Sequence, residues 1–308
     1  GYQPVFCDCD LDTHLISLED LERCVTKNTR AVIGVHVWGR PCYVKQLQQF
    51  CDAHKLSLIF DAAHAFGSAV NGKKIGSFGN CEVFSFHATK FFNTAEGCAV
   101  TTQNRGLAER LRLIRNFGFL TFDRVVCLGT NAKLSELHAG LGLSNLPKVN
   151  ELIKACRTNY LQYKSLLSNI PGIHVLDLQS DDFDCNFQYV VCHVDEATFG
   201  LSRNELVAVM EAENIFARRY FNPSVHKMAP YCFQTQHQQT HLPVSEFLAT
   251  VCLVLPAGAS LSFGDIENVV NVVRWAHKMK SEIRQHLKAH PPLETLDIPF
   301  EYPTLSDE

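Results

Sequence analysis

Two groups able to do covalent and proton chemistry sit at matching places in the chain, each just past a short apolar run. Residues 58–60 read as a strand that ends in Asp61, and residues 83–86 read as a second one, with Lys90 four positions further on. In an open α/β sheet, ligands bind in the crevice outside the carboxyl ends of the strands, which is where this carboxylate and this amine fall. A lysine after a strand is most often a surface charge, and an aspartate there most often caps a turn. Lys90 departs from the ordinary case because it lies between apolar runs. Desolvation of such an amine lowers its pKa and makes it a nucleophile toward an aldehyde.

These residues belong to longer segments. Asp61-Ala-Ala-His64-Ala-Phe-Gly67, Gly76-Ser-Phe-Gly79, Ser85-Phe-His87-Ala-Thr-Lys90 and Ala95-Glu-Gly-Cys98 follow in an order that resembles the active-site run of the DegT/DnrJ/StrS family, the pyridoxal-phosphate (PLP) sugar aminotransferases. The family pattern is an Asp-Ala-Ala segment, a Ser-Phe-x-x-x-Lys segment and a Gly-Glu-Gly-Gly segment, from which Ala95 and Cys98 differ. The resemblance covers residues 3 to 280. It implies an α/β protein of PLP-dependent transferase fold type I, with a large domain built on a mainly parallel sheet and a smaller α+β C-terminal domain.

The same resemblance implies roles. Lys90 would form a Schiff base with PLP and then act as the base that moves the proton. Asp61 would set a carboxylate against the ring nitrogen, His64 would lie beside the ring, and Ser85 would meet the phosphate. Asn131, in Gly129-Thr-Asn-Ala-Lys-Leu-Ser-Glu136, would reach the phosphate of the neighbouring subunit in a homodimer with shared sites; a plain helix entry is the rival reading. Arg218-Arg219-Tyr220-Phe221-x-Pro223 with His226 resembles a segment of members that act on nucleotide-linked sugars. Guanidinium forks suit a diphosphate, though a surface pair of arginines explains the sequence as well. The implied reaction moves an amino group from an amino acid, expected to be glutamate, to a nucleotide-diphosphate-linked keto-sugar. Two alternatives stand beside it. One is sugar dehydration on the same fold, where a histidine replaces the lysine, and Lys90 argues against that. The other is a PLP-binding or scaffold protein without turnover.

Elements must hold these groups in place. Ser17 with Asp20 three residues on predicts a capped helix with Leu18, Leu21 and Val25 on its apolar face. Residues 31–37 predict a strand ending in His36-Val-Trp38-Gly39, after which Val44, Leu47 and Cys51 mark one helix face. Strand, helix and strand with short connections predict a parallel sheet. Asn71-Gly72 predicts a tight hairpin turn. Leu107, Leu111 and Ile114 predict one helix, and Leu134, Leu137 and Leu141 another. A long helix is expected from Pro147 to about Ser168, then a strand over 187–194, a helix capped by Ser202 and Glu205, a strand over 253–255, and a helix burying Ile266, Val269, Val270 and Val273. Residues 177–184 and 234–241 read as loops. The expected division is a PLP-binding domain over 1–146, a bridging helix over 147–170, a small domain over 171–288 and a loose tail over 289–308. Because the chain opens on Gly1 with a loop entering a buried strand, the large domain is expected to lack its N-terminal segment.

Composition excludes other classes. A net charge of -4 gives no basic footprint for nucleic acid. Thirteen scattered cysteines without a Cys-x-x-Cys fit a reduced cytoplasmic protein better than a disulfide scaffold. No run of 18 apolar residues predicts a membrane span. His237-Gln-Gln-Thr-His241 has the spacing of a helical zinc pair but lacks the glutamate of His-Glu-x-x-His, so no metal site is expected.

Overall fold

The computed structural model describes residues 1–233 and 240–290. Near the start, Ser17 caps α1 (Leu18–Cys24) by accepting from the backbone N–H of Asp20. The Asp20 carboxylate does not return to close a capping box; it accepts from the Asp8 N–H at 2.6 Å and binds Arg23. The expected strand before α1 is reduced to a single antiparallel bridge, Cys9 to Ile16.

Strand β1 (Ala31–Val35), helix α2 (Val44–His54) and strand β2 (Ser57–Asp61) form the predicted parallel unit, with Val35 in register with Asp61. Val44, Leu47 and Cys51 are the buried residues of α2. The short β3 (Ala69–Val70) and β4 (Lys73–Lys74) close around Asn71-Gly72, both with positive φ, as a two-residue hairpin of this kind requires. Strand β5 (Cys81–Ser85) pairs in parallel with β2, and β6 (Cys98–Thr101) returns antiparallel beside it, giving the order β1-β2-β5-β6. Beneath this sheet His36 and Glu82 are both fully buried. The Cys42 N–H occupies His36 Nδ1, so the ring proton is on Nε2, 3.3 Å from the Glu82 carboxylate.

Helix α3 (Arg105–Arg115) precedes a small hairpin, β7 (Phe119–Thr121) with β8 (Arg124–Val125). Helix α4 (Glu136–Asn145) is capped by Ser135, which leaves Leu134 outside the helix expected to contain it. The apolar face of α4 is largely left to solvent in this chain: Leu137 is 82% exposed, and Phe122 and Leu128 of the hairpin region are 100% and 96% exposed.

After α4 comes α5 (Val149–Leu167), which buries Cys156, Asn159, Tyr160, Tyr163 and Leu167. Strands β9 (Ile173–Val175), β11 (Val190–Val194) and β12 (Cys252–Leu255) make an antiparallel sheet in the order β12-β11-β9. Between β9 and β11 lies β10 (Phe183–Asp184), which pairs with β3, so the stretch read as a loop over 177–184 joins the N-terminal half of the chain. The 187–194 strand begins only at Val190, because Phe187 has φ +55. Around the sheet stand α6 (Glu196–Phe199), α7 (Arg203–Ala212), α8 (Pro243–Val251), α9 (Phe263–Lys278) and α10 (Lys280–Ala289). Helices α7 and α9 carry complete capping boxes, Ser202 with Glu205 and Ser262 with Asp265. Helix α10, which no sequence signal predicts, ends at Ala289, the first residue of the expected tail; residues 291–308, and His237, lie outside the described residues.

Candidate active site

Asp61 closes β2 and Ser85 closes β5, two adjacent parallel strands, so both side chains stand at one carboxyl edge of the sheet. Asp61 Oδ1 accepts the Ala63 N–H at 2.9 Å, and Oδ2 has no hydrogen bond among the described residues. Ser85 Oγ lies 3.4 Å from the His87 N–H. The turn from Ser85 to Lys90 ends in a Lys90 N–H bonded to the His87 carbonyl, which brings the lysine back over the edge. Lys90 Nζ donates to Tyr189 Oη at 3.4 Å. Burial lowers the amine below the ordinary lysine range, and the Asp61 carboxylate works against that shift.

His64 stands between these groups and an aromatic wall. Its ring packs on Tyr189 at 4.6 Å and stacks on Trp38 at 5.9 Å. Trp38 stacks on Phe221, and Phe221 on Tyr220, with 16° and 3° between the planes. The Trp38 backbone N–H donates to His64 Nδ1 at 3.2 Å, so the imidazole carries its proton on Nε2. Burial, with the Lys90 charge adding to it, holds the His64 pKa down to about 3, so the ring is neutral at ordinary pH. Two amides from the approach to β11 fasten the Asp61–Gly67 segment from behind: Asn186 Nδ2 donates to the carbonyls of His64 and Phe66, and Gln188 Nε2 to that of His64. Gly39, with φ +86, is needed there, because a Cβ would lie 2.2 Å from Asn186 Oδ1.

The remaining sequence-derived residues scatter. Tyr220 joins the aromatic wall and, with burial as the larger cause, helps push the Tyr189 phenol up. Arg218 is tied by its backbone to Val254 of β12. Burial lowers the Arg203 guanidinium of α7, and the nearby charge of Arg219 lowers it further. His226 is buried, and its Nε2 meets Glu246 Oε1 at 3.0 Å, so this imidazole holds α8 in place. Asn131 sits beside the exposed hairpin, paired with Asn116 and accepting from Lys133 at 2.6 Å. Trp38, Tyr189, Asn186 and Gln188 were not found from sequence. Trp38 follows β1 as Lys90 follows β5, and the strand-end rule reaches it; the others come from more than a hundred residues beyond Asp61 and His64 and carry no local signal.

The Gly-Glu-Gly-Gly departure has a structural cost. Ala95 has φ +62, a conformation that glycine adopts freely and alanine does not. Cys98 is exposed at the start of β6, opposite Ser85.

As a donor set, the site suits PLP. A carboxylate with one free oxygen can hold a ring-nitrogen proton, a desolvated amine can meet an aldehyde, and a serine hydroxyl beside a turn can serve a phosphate.

Comparison with known proteins agrees with this chemistry. The DegT/DnrJ/EryC1/StrS aminotransferase family matches over residues 1–274. The chain is 32% identical over 274 residues to the dTDP-4-amino-4,6-dideoxy-D-glucose transaminase of Shigella dysenteriae, covering 89% of this chain and 74% of that protein. It is 29% identical over 277 residues to the GDP-perosamine synthase of Vibrio cholerae, with coverage of 89% and 74%. Among solved structures, DesI in the presence of its TDP-sugar product superposes with a TM-score of 0.86 at 41% identity, covering 92% of this chain and 72% of that one.

Proposed function

The chain belongs to the DegT/DnrJ/EryC1/StrS aminotransferase family, and from that premise we propose how its own residues carry out PLP-dependent amination of a nucleotide-linked sugar. The observation that carries the reading is the placement of a desolvated Lys90 amine with Asp61 and Ser85 at the carboxyl edge of β2 and β5. When bound, PLP supplies an electron sink and carries the amino group from donor to acceptor. Lys90 is the residue that would hold the cofactor, and its free amine would take the proton from the donor's α-carbon; its lowered pKa keeps that amine available as a base. Asp61 Oδ2 would hold the proton of the ring nitrogen. Ser85 donates to the phosphate. His64 offers Nε2–H, and the aromatic wall excludes water from one side.

The substrate in this reading is a dTDP-linked 4-keto-6-deoxyhexose, because the Shigella relative is named for the matching 4-amino sugar. Nitrogen leaves glutamate for C4; the C4 carbonyl oxygen leaves as water, and a second water supplies the keto oxygen of the 2-oxoglutarate that departs. Arg218, Arg219 and Tyr220 belong to the sugar-nucleotide side of the proposal, and His226 supports it from within, by holding α8 through Glu246. The working unit is a homodimer. Support comes from the exposed apolar side chains of Phe122, Leu128 and Leu137, with Asn131 near the same hairpin. A cytoplasmic setting completes the reading, supported by thirteen unpaired cysteines. No helix among the described residues is long and apolar enough to cross a membrane.

The test is incubation with PLP, glutamate and the dTDP-4-keto-6-deoxy sugar, following 2-oxoglutarate and amino sugar together. Their equimolar appearance is expected. Neither product forming from any nucleotide-linked keto-sugar would reject the reaction. For the shared site, Lys90→Ala and Asn131→Ala proteins are mixed and reassembled: activity returns if Asn131 serves the neighbouring subunit and stays absent if it serves its own.

A further inference from the structure

Two residues near the site adopt left-handed backbone conformations that bulky side chains rarely take, and they are bonded to each other. Trp38 has φ 61 and ψ 9, and His14 has φ 61. The Trp38 indole donates to His14 Nδ1 at 2.9 Å. An indole N–H can only donate, so His14 must present a lone pair at Nδ1 and carry its proton on Nε2. That Nε2 lies 2.8 Å from His193 Nε2, with the rings nearly coplanar at 4° and their centroids 4.9 Å apart, so they meet edge to edge. His14 is therefore the donor and His193 the acceptor. The His14 loop is itself pinned, because Asp10 Oδ1 accepts from both the N–H and the hydroxyl of Thr13, and the Asp10 carbonyl accepts the His14 N–H.

At its other end Trp38 gives its backbone N–H to His64 Nδ1. One residue thus links a histidine pair on the β11 side to the imidazole of the site. We infer that Trp38 is a positioning residue for the transamination proposed above, anchored through its indole by the His14–His193 pair and fixing through its backbone N–H which nitrogen His64 offers to the bound molecules. The inference rests on that reading of the site. Burial holds His14, like His64, down to about 3, so the chain of donors keeps one direction at ordinary pH.

The same pair has a rival use. His14, His193 and Cys252 bring one donor atom each within 4.8 Å of the others, and His193 and Cys252 are cross-strand partners. Such a set suits a transition metal. The indole argues against it, since Trp38 occupies Nδ1 and leaves on Nε2 the proton that a metal would have to displace.

Four variants test the inference: His14→Leu and His193→Leu, which break the line, and His14→Gln and His193→Gln, whose amides keep the acceptor that each position needs and, at position 14, the donor as well. The chain has two tryptophans, one buried and one half exposed, so the Trp38 indole resonance is assignable in 15N-labelled protein. In His14→Leu the indole proton is expected upfield, the His64 ring nitrogens are expected to lose their single tautomer, and kcat is expected to fall roughly tenfold, the scale of one lost buried hydrogen bond, with KM for glutamate within about twofold. His14→Gln should restore all three. The His193 pair repeats the comparison one step further from the site if His14→Leu fails to fold. A folded His14→Leu protein with an unchanged His64 tautomer, or a glutamine variant that behaves as the leucine one, would overturn the inference. The spectra are read without turnover, so a wild-type protein that proved inactive on sugars would count against the reaction and leave the spectra to decide the role of Trp38.

Discussion

The two main sheets of this protein divide its labour in an unexpected way. Parallel sheets are ordinarily covered on both faces, while antiparallel ones tolerate water on one side. Here the antiparallel β9-β11-β12 sheet is the closed one, with β12 buried along its whole length and β11 at every residue but His193. The mainly parallel sheet is open on one face within this chain: Ile33 and Val35 are 61% and 42% exposed, and Val83 and Val100 are exposed with them, while Val32, Leu58, Phe60 and Phe84 are buried behind. The proposed chemistry gathers at the carboxyl edge of the open sheet. The closed sheet supplies rigidity and, through Asn186, Gln188 and Tyr189 on the approach to β11, the clamps that hold that edge. A site set on one sheet is thus stiffened by another that contributes no proton donor or acceptor to the reaction as proposed.

Substitutions should separate these two contributions. The largest effect is expected from Lys90→Ala, which removes the nucleophile and little packing: turnover should fall by about 10⁴-fold or more while the melting temperature holds, measured by steady-state assay and thermal scan. Asp61→Asn should keep PLP, seen by its visible absorbance, yet lose roughly 10²-fold or more in kcat, because a neutral amide does not hold the pyridinium proton. Near-normal turnover would make Asp61 a structural residue.

Stability should show the opposite ranking. Leu206→Ala, on the α7 face that packs over the closed sheet, should cost about 2–5 kcal/mol by denaturant titration, whereas Val35→Thr on the open face should stay within about 0.5 kcal/mol. A comparable loss at Val35 would break the comparison, since it would mean that the open face is covered in the working molecule. The smallest effect is a gain. Ala95→Gly relieves φ +62 and should stabilise the protein by up to about 1 kcal/mol.

Much of this architecture is readable from residues close in sequence. Ser17, Ser202 and Ser262 cap their helices by contacts three residues long, Asn71-Gly72 makes its own turn, and the apolar faces of α2, α7 and α9 repeat at helical spacing. Asp61 and Lys90 are legible because strand ends are. What local pattern does not reach is pairing over distance. Strand β10 exists only because Phe183 and Asp184 meet Val70 and Ala69, and the clamp on His64 comes from residues 186 and 188. The apolar spacing of α4 predicts a buried face, yet that face is exposed in the single chain, since periodicity says that a surface is apolar and not what covers it.

The central claim, that the open sheet's edge holds the cofactor through Lys90, is tested most directly by reducing the PLP-loaded protein with borohydride and mapping the modified peptide. The pyridoxyl group is expected on Lys90 alone. Its appearance on Lys73, Lys74 or any other lysine, with Lys90 unmodified, would contradict the account.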